Sequence, residues 1–327
     1  MSEHPYSRLT PDTILDAIEG AGFRPDGGML ALNSYENRVY QISMEEGPPL
    51  VAKFYRPERW SDAAIREEHG FSLALAAAEI PVVPPLRSPG GETLLYHDGF
   101  RFALFPRQGG RWPELEPAEN LAWIGRFLAR IHQLGTSRPF RHRPVLEPDA
   151  MGRDPVDFLL GHGLVPAQQE ARYRELTQAL LDGIGEAFGR LDRDHWIPLH
   201  GDCHPGNILW TDSGPHFVDM DDCRTGPAIQ DLWMLLSGSR REMALQLSFL
   251  REGYEVFRPF PVAEVALIEP LRTLRMIHYA AWIARRWEDP AFPAAFPWFG
   301  TTQYWQEHLT QLEQQLVELS QPPLPLY

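Results

Sequence analysis

The stretch His200-Gly201-Asp202-Cys203-His204-Pro205-Gly206-Asn207 is a short polar run between two apolar triplets, Ile197-Pro198-Leu199 before it and Ile208-Leu209-Trp210 after it. Beyond it, Thr211-Asp212-Ser213-Gly214-Pro215 has turn composition, and the apolar pair Phe217-Val218 leads directly into Asp219. The pattern predicts loop, strand, tight turn and strand. Such a hairpin returns Asp219 to the side of Asn207. A stretch rich in Gly, Asp and Asn also suits a plain surface turn. An acid, an amide five positions on, and a second acid closing the next apolar run are more than a turn requires.

Those three side chains meet the needs of phosphoryl transfer. Moving a γ-phosphoryl group asks a protein to hold a hydroxyl in line and to neutralise phosphate charge, with little covalent work of its own. Asn207 offers a neutral carbonyl oxygen and Asp219 a carboxylate, hard ligands suited to Mg²⁺. Asp202 is then free to accept the proton of the acceptor hydroxyl. Kinases set out their base and metal ligands in this order.

A second half-site lies upstream. Leu50-Val51-Ala52-Lys53-Phe54-Tyr55 reads as a short apolar strand with one lysine, similar to the strand on which kinases mount the lysine that holds the α- and β-phosphates. A lone strand lysine is commonly a solvated edge residue, but a helical pattern follows, through Glu67, Glu68, Phe71, Leu73 and Leu75. A glutamate there can pair with Lys53. Glu68 is preferred over Glu67 because it stands three residues before Phe71, on the same helix face. The turn Asn33-Ser34-Tyr35-Glu36-Asn37 precedes the lysine strand where a glycine-rich phosphate loop would be expected. Its backbone N–H groups and the Ser34 hydroxyl suit a phosphate; a polar hairpin without ligand would look similar.

The motif His200-Gly201-Asp202-x-His204-x-x-Asn207 with Asp219 resembles the aminoglycoside phosphotransferase and choline kinase superfamily. Closer still, LNSYENRVYQ (32–41), LHGDCHPGNILW (199–210), FVDMDD (217–222) and RRWEDPAFPAAFPWF (285–299) resemble the bacterial stress response kinase A family. The resemblance extends from about residue 10 to 310. It implies an α+β, protein-kinase-like fold of two lobes, and an ATP- and Mg²⁺-dependent serine/threonine protein kinase able to phosphorylate itself, tied to envelope and oxidative stress. In that family the catalytic aspartate matches Asp202, the magnesium ligands match Asn207 and Asp219, and an ATP-contacting serine matches Ser34. Residue reading alone also leaves open a small-molecule hydroxyl kinase, or a nucleotide-binding scaffold without activity.

The chain has 327 residues, 43% of them hydrophobic, and a formal charge of −14. This composition supports a packed core, disfavours nucleic acid or anionic membrane as partner, and favours a basic protein substrate. No run of about 18 uncharged apolar residues is present, and the opening MSEHPYSRLTPD lacks a basic and apolar leader. A cytoplasmic monomer is expected. The two cysteines, Cys203 and Cys223, invite three readings: a zinc set with His200 and His204, a redox-sensitive thiol, or buried inert side chains. A structural disulfide is not expected in the cytosol.

The motif positions predict a small lobe over 1–104, a hinge over 105–111 with adenine against backbone near 105–107, and a large lobe over 112–327. The small lobe should hold a helix near 10–21 capped by Thr10 or Asp12, strands within 27–56 and 82–105, and the Glu68 helix between them. The large lobe should hold helices near 118–133, 166–189, 230–238, 241–256, 262–287 and 301–319. In the first of these, Leu121, Ile124, Phe127, Leu128 and Ile131 form a core stripe, and His132 reads as a packed helix-end residue. Asp231 reads as an N-cap, or as the acid that braces the catalytic loop in kinase-like folds. Asp221 and Asp222 read as an acidic mouth for a cationic substrate, or as solvated or capping groups. Arg275, His278, Tyr279, Trp282 and Arg286 recur at helical spacing, either facing the acceptor or packing with their charged tips in water.

Overall fold

A computed structural model describes residues 4–327. Helix α1, Pro11–Gly20, starts at Thr10, whose hydroxyl accepts the Thr13 N–H, and proline sits at the first helical position. Of the two caps the sequence offers, Thr10 is the one used. Strands β1 (Pro25–Ala31), β2 (Arg38–Met44), β3 (Leu50–Phe54), β4 (Leu95–His97) and β5 (Phe100–Pro106) form one antiparallel sheet in the order β1-β2-β3-β5-β4.

Strand alternation decides what each face of β3 does. Ala52 and Phe54 turn toward α1 and pack with Ile14, Ala17, Ile18, Phe100 and Phe102. Lys53 and Tyr55 turn the other way, where α2 (Asp62–Ala77) brings Ile65 against Tyr55 and Ala103. Lys53 is thus placed on the α2 side because it follows Ala52. The strands expected across 82–105 shrink to β4 and β5, since Pro81, Pro84, Pro85 and Pro89 cannot donate to a ladder.

The remainder is largely helical: α3 (Ala118–Thr136), α4 (Asp154–Gly161), α5 (Ala167–Gly189), α6 (Gln230–Trp233), α7 (Arg240–Tyr254), α8 (Ile268–Arg285), α9 (Ala291–Ala295) and α10 (Thr302–Leu319). Between α5 and α6 lie β6 (Ile197–Leu199), β7 (Ile208–Thr211), β8 (Gly214–Phe217) and β9 (Arg224–Gly226). The expected α3 stripe is buried at Leu121, Ile124, Leu128 and Ile131. Against it runs α7 at backbone distance, since a Cβ on Gly253 would stand 1.8 Å from the Ala122 carbonyl oxygen.

Two helix expectations change, and two helices, α4 and α9, stand where none was expected. The segment 230–238 is helical only to Trp233, and Ser239 with Glu242 forms a capping box that starts α7. The helix expected over 262–287 begins as a 3₁₀ turn and becomes α-helical at Ile268, which leaves Pro270 in the first turn, where its missing N–H costs no bond. Helix α4 and the π-helical turn Asp149–Arg153 before it were not expected at all.

Packing does not divide the chain at residue 104. Phe71 and Leu75 from α2, with Ile80 and Val82, join the large core built on α3, α5, α7, α8 and α10. Ion pairs and hydrogen bonds then tie the β1–β2 turn and the residue Arg56 after β3 to the end of α8 and the segment beyond it. Asp289, 1% exposed at its side chain, receives Arg38 at 2.7 Å and Arg56 at 2.7 Å. Glu36 receives the Trp282 indole N–H at 2.7 Å and Arg286 at 2.9 Å. Tyr35 packs on Phe296, with ring centres 5.1 Å apart. No helix among the described residues is long and apolar enough to cross a membrane.

Candidate active site

The loop 200–207 is held from below by one buried acid. Asp231, wholly buried, accepts the His200 and Gly201 N–H groups at 2.8 Å each and faces His132 Nε2 at 3.0 Å. It does not cap α6, which has no side-chain cap, so the bracing reading holds. Burial would raise the Asp231 pKa, but hydrogen bonds, that of His132 foremost, hold it below the usual carboxylate range. His132 is packed as expected and also serves the brace, with its other nitrogen 2.9 Å from the Tyr254 hydroxyl. Gly201 has φ +87°, and a Cβ there would stand 2.2 Å from the Asp222 carbonyl oxygen. Only glycine fits both demands.

The β7–β8 hairpin pairs Ile208 with Phe217, and the Val218 N–H donates to the Asn207 carbonyl at 3.0 Å. Asn207 Nδ2 donates to the Asp202 carbonyl at 2.9 Å, so its own side-chain oxygen points elsewhere. Asp219 follows with φ 60° and ψ 64°, a left-handed conformation that aspartate tolerates better than most residues. Lys53 Nζ lies 2.8 Å from Asp219 Oδ1 and 3.3 Å from Asp221 Oδ1. Burial would lower the lysine pKa, but the two aspartates raise it well above its ordinary value.

The expected Lys53–Glu68 ion pair is not formed, because Asp219 and Asp221 hold the ammonium instead. Glu68 is buried nearby, and burial pushes its carboxyl up to about 7 against the pull of Lys53. Glu67 does something the sequence did not announce: its carboxylate accepts the N–H groups of Arg141, His142 and Arg143 at 2.7 Å each. Arg143 in turn donates to the Cys223 carbonyl at 2.8 Å and stacks on Trp60 at 4.0 Å.

Asp221 and Asp222 do not form an acidic mouth. Asp221 is 3% exposed and meets Lys53, Arg59 and, at 3.1 Å, the Asn37 amide. Asp222 pairs with Arg59 at 2.8 Å and Arg224 at 3.0 Å. Burial would raise both carboxyls, yet these cations hold them below the usual range. Their charge is taken up by these cations, Asp221 buried and Asp222 half-buried. Asn37, Arg59 and Arg143 are therefore site residues that sequence reading missed, although Asn37 lies in the 32–41 string that carried the family resemblance. Ser34 sits half-buried in the same turn as Asn37.

The stripe on α8 does face the cleft. Arg275 donates to Asp202 Oδ1, and Trp282 and Arg286 reach Glu36. His278 is half-buried, and that desolvation pushes its pKa down to about 4. Both cysteines are free and buried, and burial raises their thiols. Neither is poised as a thiolate. Among the described residues no three His, Cys, Asp or Glu side chains are grouped to hold a metal by themselves, so the zinc set is not assembled. Asp219 and Asn207 instead fit Mg²⁺, which takes one or two protein oxygens and shares the phosphates.

Glu68 yields a pH test. In the unfolded chain it ionises near its ordinary 4.5, in the folded protein near 7. Between those values the folded state keeps a proton the unfolded state has lost, so stability falls as pH rises through the window. Glu68→Gln should remove that slope, a difference on the order of 3 kcal/mol at about 1.36 per pKa unit. Urea melts of both proteins at pH 5 and 8 measure it; equal slopes would mean Glu68 stays ionised.

A lysine strand, a braced loop and a hairpin acid meeting between a sheet lobe and a helical lobe define the kinase-like phosphotransferase class. The sequence pattern of the phosphotransferase enzyme family matches residues 29–265. A stress response kinase A of Salmonella choleraesuis (strain SC-B67) is 47% identical over 321 residues, covering 98% of this chain and 97% of that protein. A serine/threonine protein kinase RdoA of Salmonella typhimurium (strain LT2) is 47% identical with the same coverage. Among solved structures, the amicoumacin kinase hAmiN in complex with AMP-PNP, Ca²⁺ and Ami aligns with a TM-score of 0.75 at 16% identity, over 97% of this chain and 96% of that one. The chain belongs to the phosphotransferase enzyme family, on its stress response kinase A branch. It is an α+β kinase of two lobes, with ATP as the phosphoryl donor its family uses.

Proposed function

We propose that the protein is an ATP- and Mg²⁺-dependent serine/threonine protein kinase of the cytoplasm that also phosphorylates itself, acting in envelope and oxidative stress. One observation carries the site reading: Lys53 from the small lobe lies 2.8 Å from Asp219, beside the loop that carries Asp202 and Asn207. In this reading Asp202 orients the acceptor hydroxyl and takes its proton, Asn207 and Asp219 hold Mg²⁺, and Lys53 and Ser34 hold the phosphates. Glu68 stands ready to take the ammonium when Asp219 turns to the metal. Mg²⁺, when bound, supplies charge neutralisation on the phosphate oxygens. Adenine lies against the backbone near 105–107. Support for a protein acceptor comes from the relative named a serine/threonine protein kinase. Buried free cysteines suit a reducing compartment.

The second reading, a small-molecule hydroxyl kinase, rests on the fold shared with a kinase named for amicoumacin. Incubation with Mg-ATP followed by mass spectrometry decides between them. Phosphoserine or phosphothreonine should appear in wild type, on itself and on an added protein, and be absent in Asp202→Asn. Labelling of a small alcohol alone would replace the first reading with the second.

A further inference from the structure

Both oxygens of the Asp202 carboxylate already have a neighbour. Arg275 from α8 donates to Oδ1, and His204 Nε2 stands 3.5 Å from Oδ2. At 3.5 Å the His204 contact is too long for a good hydrogen bond, so Arg275 is the tighter of the two neighbours. The acceptor hydroxyl must therefore share or displace the guanidinium. That pair is open to exchange: the Arg275 side chain is 45% exposed and that of Asp202 24%, and ion pairs this wet are weak. Among the described residues Asp202 is the only acid paired with Arg275. Once the hydroxyl occupies Asp202, the guanidinium is left without an anion.

The other acids of the site are committed elsewhere, Asp219 and Asp221 to Lys53 and Asp222 to Arg59 and Arg224. Tyr279, one helical turn beyond Arg275 and 41% exposed, extends the same face toward solvent. The cation facing an incoming acceptor is thus Arg275, whatever the charge of the whole chain. A net −14 acts over distance and is screened within about 8 Å at physiological salt, whereas contact charge decides at docking.

We propose that Arg275 is a specificity-determining residue that selects acceptors carrying an anionic group beside the hydroxyl, such as a serine or threonine flanked by acidic residues. The acceptor's carboxylate takes the guanidinium from Asp202. The freed carboxylate accepts the hydroxyl proton as the hydroxyl oxygen bonds to the γ-phosphorus, and the bridging bond to the β-phosphate breaks to release ADP. This rests on the reading of Asp202 as base, and refines the acceptor class in that reading.

The test measures kcat/KM of the full chain with Mg-ATP and three peptides that differ only in having Glu, Ala or Lys around one serine. Two alcohols run in parallel, anionic 3-hydroxybutyrate and cationic choline. Wild type should favour the Glu-flanked over the Lys-flanked peptide by about tenfold to a hundredfold, the scale of one contact charge. Arg275→Lys should keep the order, Arg275→Ala should flatten it, and Arg275→Glu should reverse it. Reversal needs a folded enzyme, so instability cannot mimic it. A wild type without that preference, or a preference that survives in Arg275→Ala, overturns the proposal. If only 3-hydroxybutyrate is used and Arg275→Glu turns to choline, the protein-acceptor reading falls while the role of Arg275 stands. If Asp202→Asn stays active, the base assignment fails, and with it the exchange argued here.

Discussion

Asp202→Asn should lower turnover by roughly 10²–10⁴ while Mg-ATP affinity barely moves, the usual span for loss of a positioned base. The substitution keeps size and shape. The Asn207 amide bonds to the backbone carbonyl of residue 202, which the change leaves in place. Lys53 and Asp219 pair with each other and not with the Asp202 side chain, so nothing that holds phosphate is touched. Steady-state kinetics with direct nucleotide-binding measurements separate the two quantities. A joint collapse of binding and turnover would make Asp202 a structural or metal-binding residue.

Asp219→Ala should have the second large effect, weakening Mg²⁺-dependent ATP binding by more than roughly 10²-fold, beyond what loss of an outer-shell partner costs. Two consequences are superposed in that variant. The metal loses its carboxylate, and Lys53 keeps only Asp221, at 3.3 Å. Residue 219 also has φ 60°, where alanine is strained by about 1 kcal/mol. Asp219→Asn tolerates that backbone and removes only the charge, so it isolates the electrostatic part. Asn207→Ala should weaken binding less, since a neutral oxygen is lost. Magnesium titrations followed by calorimetry give all three values. Unchanged metal dependence in Asp219→Ala would move the metal site elsewhere.

Much of this site was legible because it is local. The loop 200–207, the tight hairpin and the acid after it are successive residues, and turn chemistry alone returns Asp219 to Asn207. Lys53 announced itself by interrupting an apolar strand, and strand alternation put it on the α2 face. Helix α3 followed from apolar periodicity, and α5 and α10 lie within a residue of their expected bounds. Local cues compete elsewhere: the capping box at Ser239 sets the start of α7, and the prolines within 81–89 keep the first part of the expected 82–105 strand region out of the sheet.

By itself the sequence determined which groups could do chemistry and on which elements they ride, because period, capping and turn geometry act within a few residues. Only the tertiary structure decided which charges face solvent. Arg59 reaches Asp221 across 162 positions and Arg38 reaches Asp289 across 251. Such pairs depend on how two lobes dock, and side-chain charge reads the same in sequence whether a partner neutralises it or not. Asp221 and Asp222 thus join an ion-pair network in place of either an acidic mouth or solvated caps, Asp231 is decided as brace and not cap, and Arg275 goes from one member of a stripe to the cation at the base.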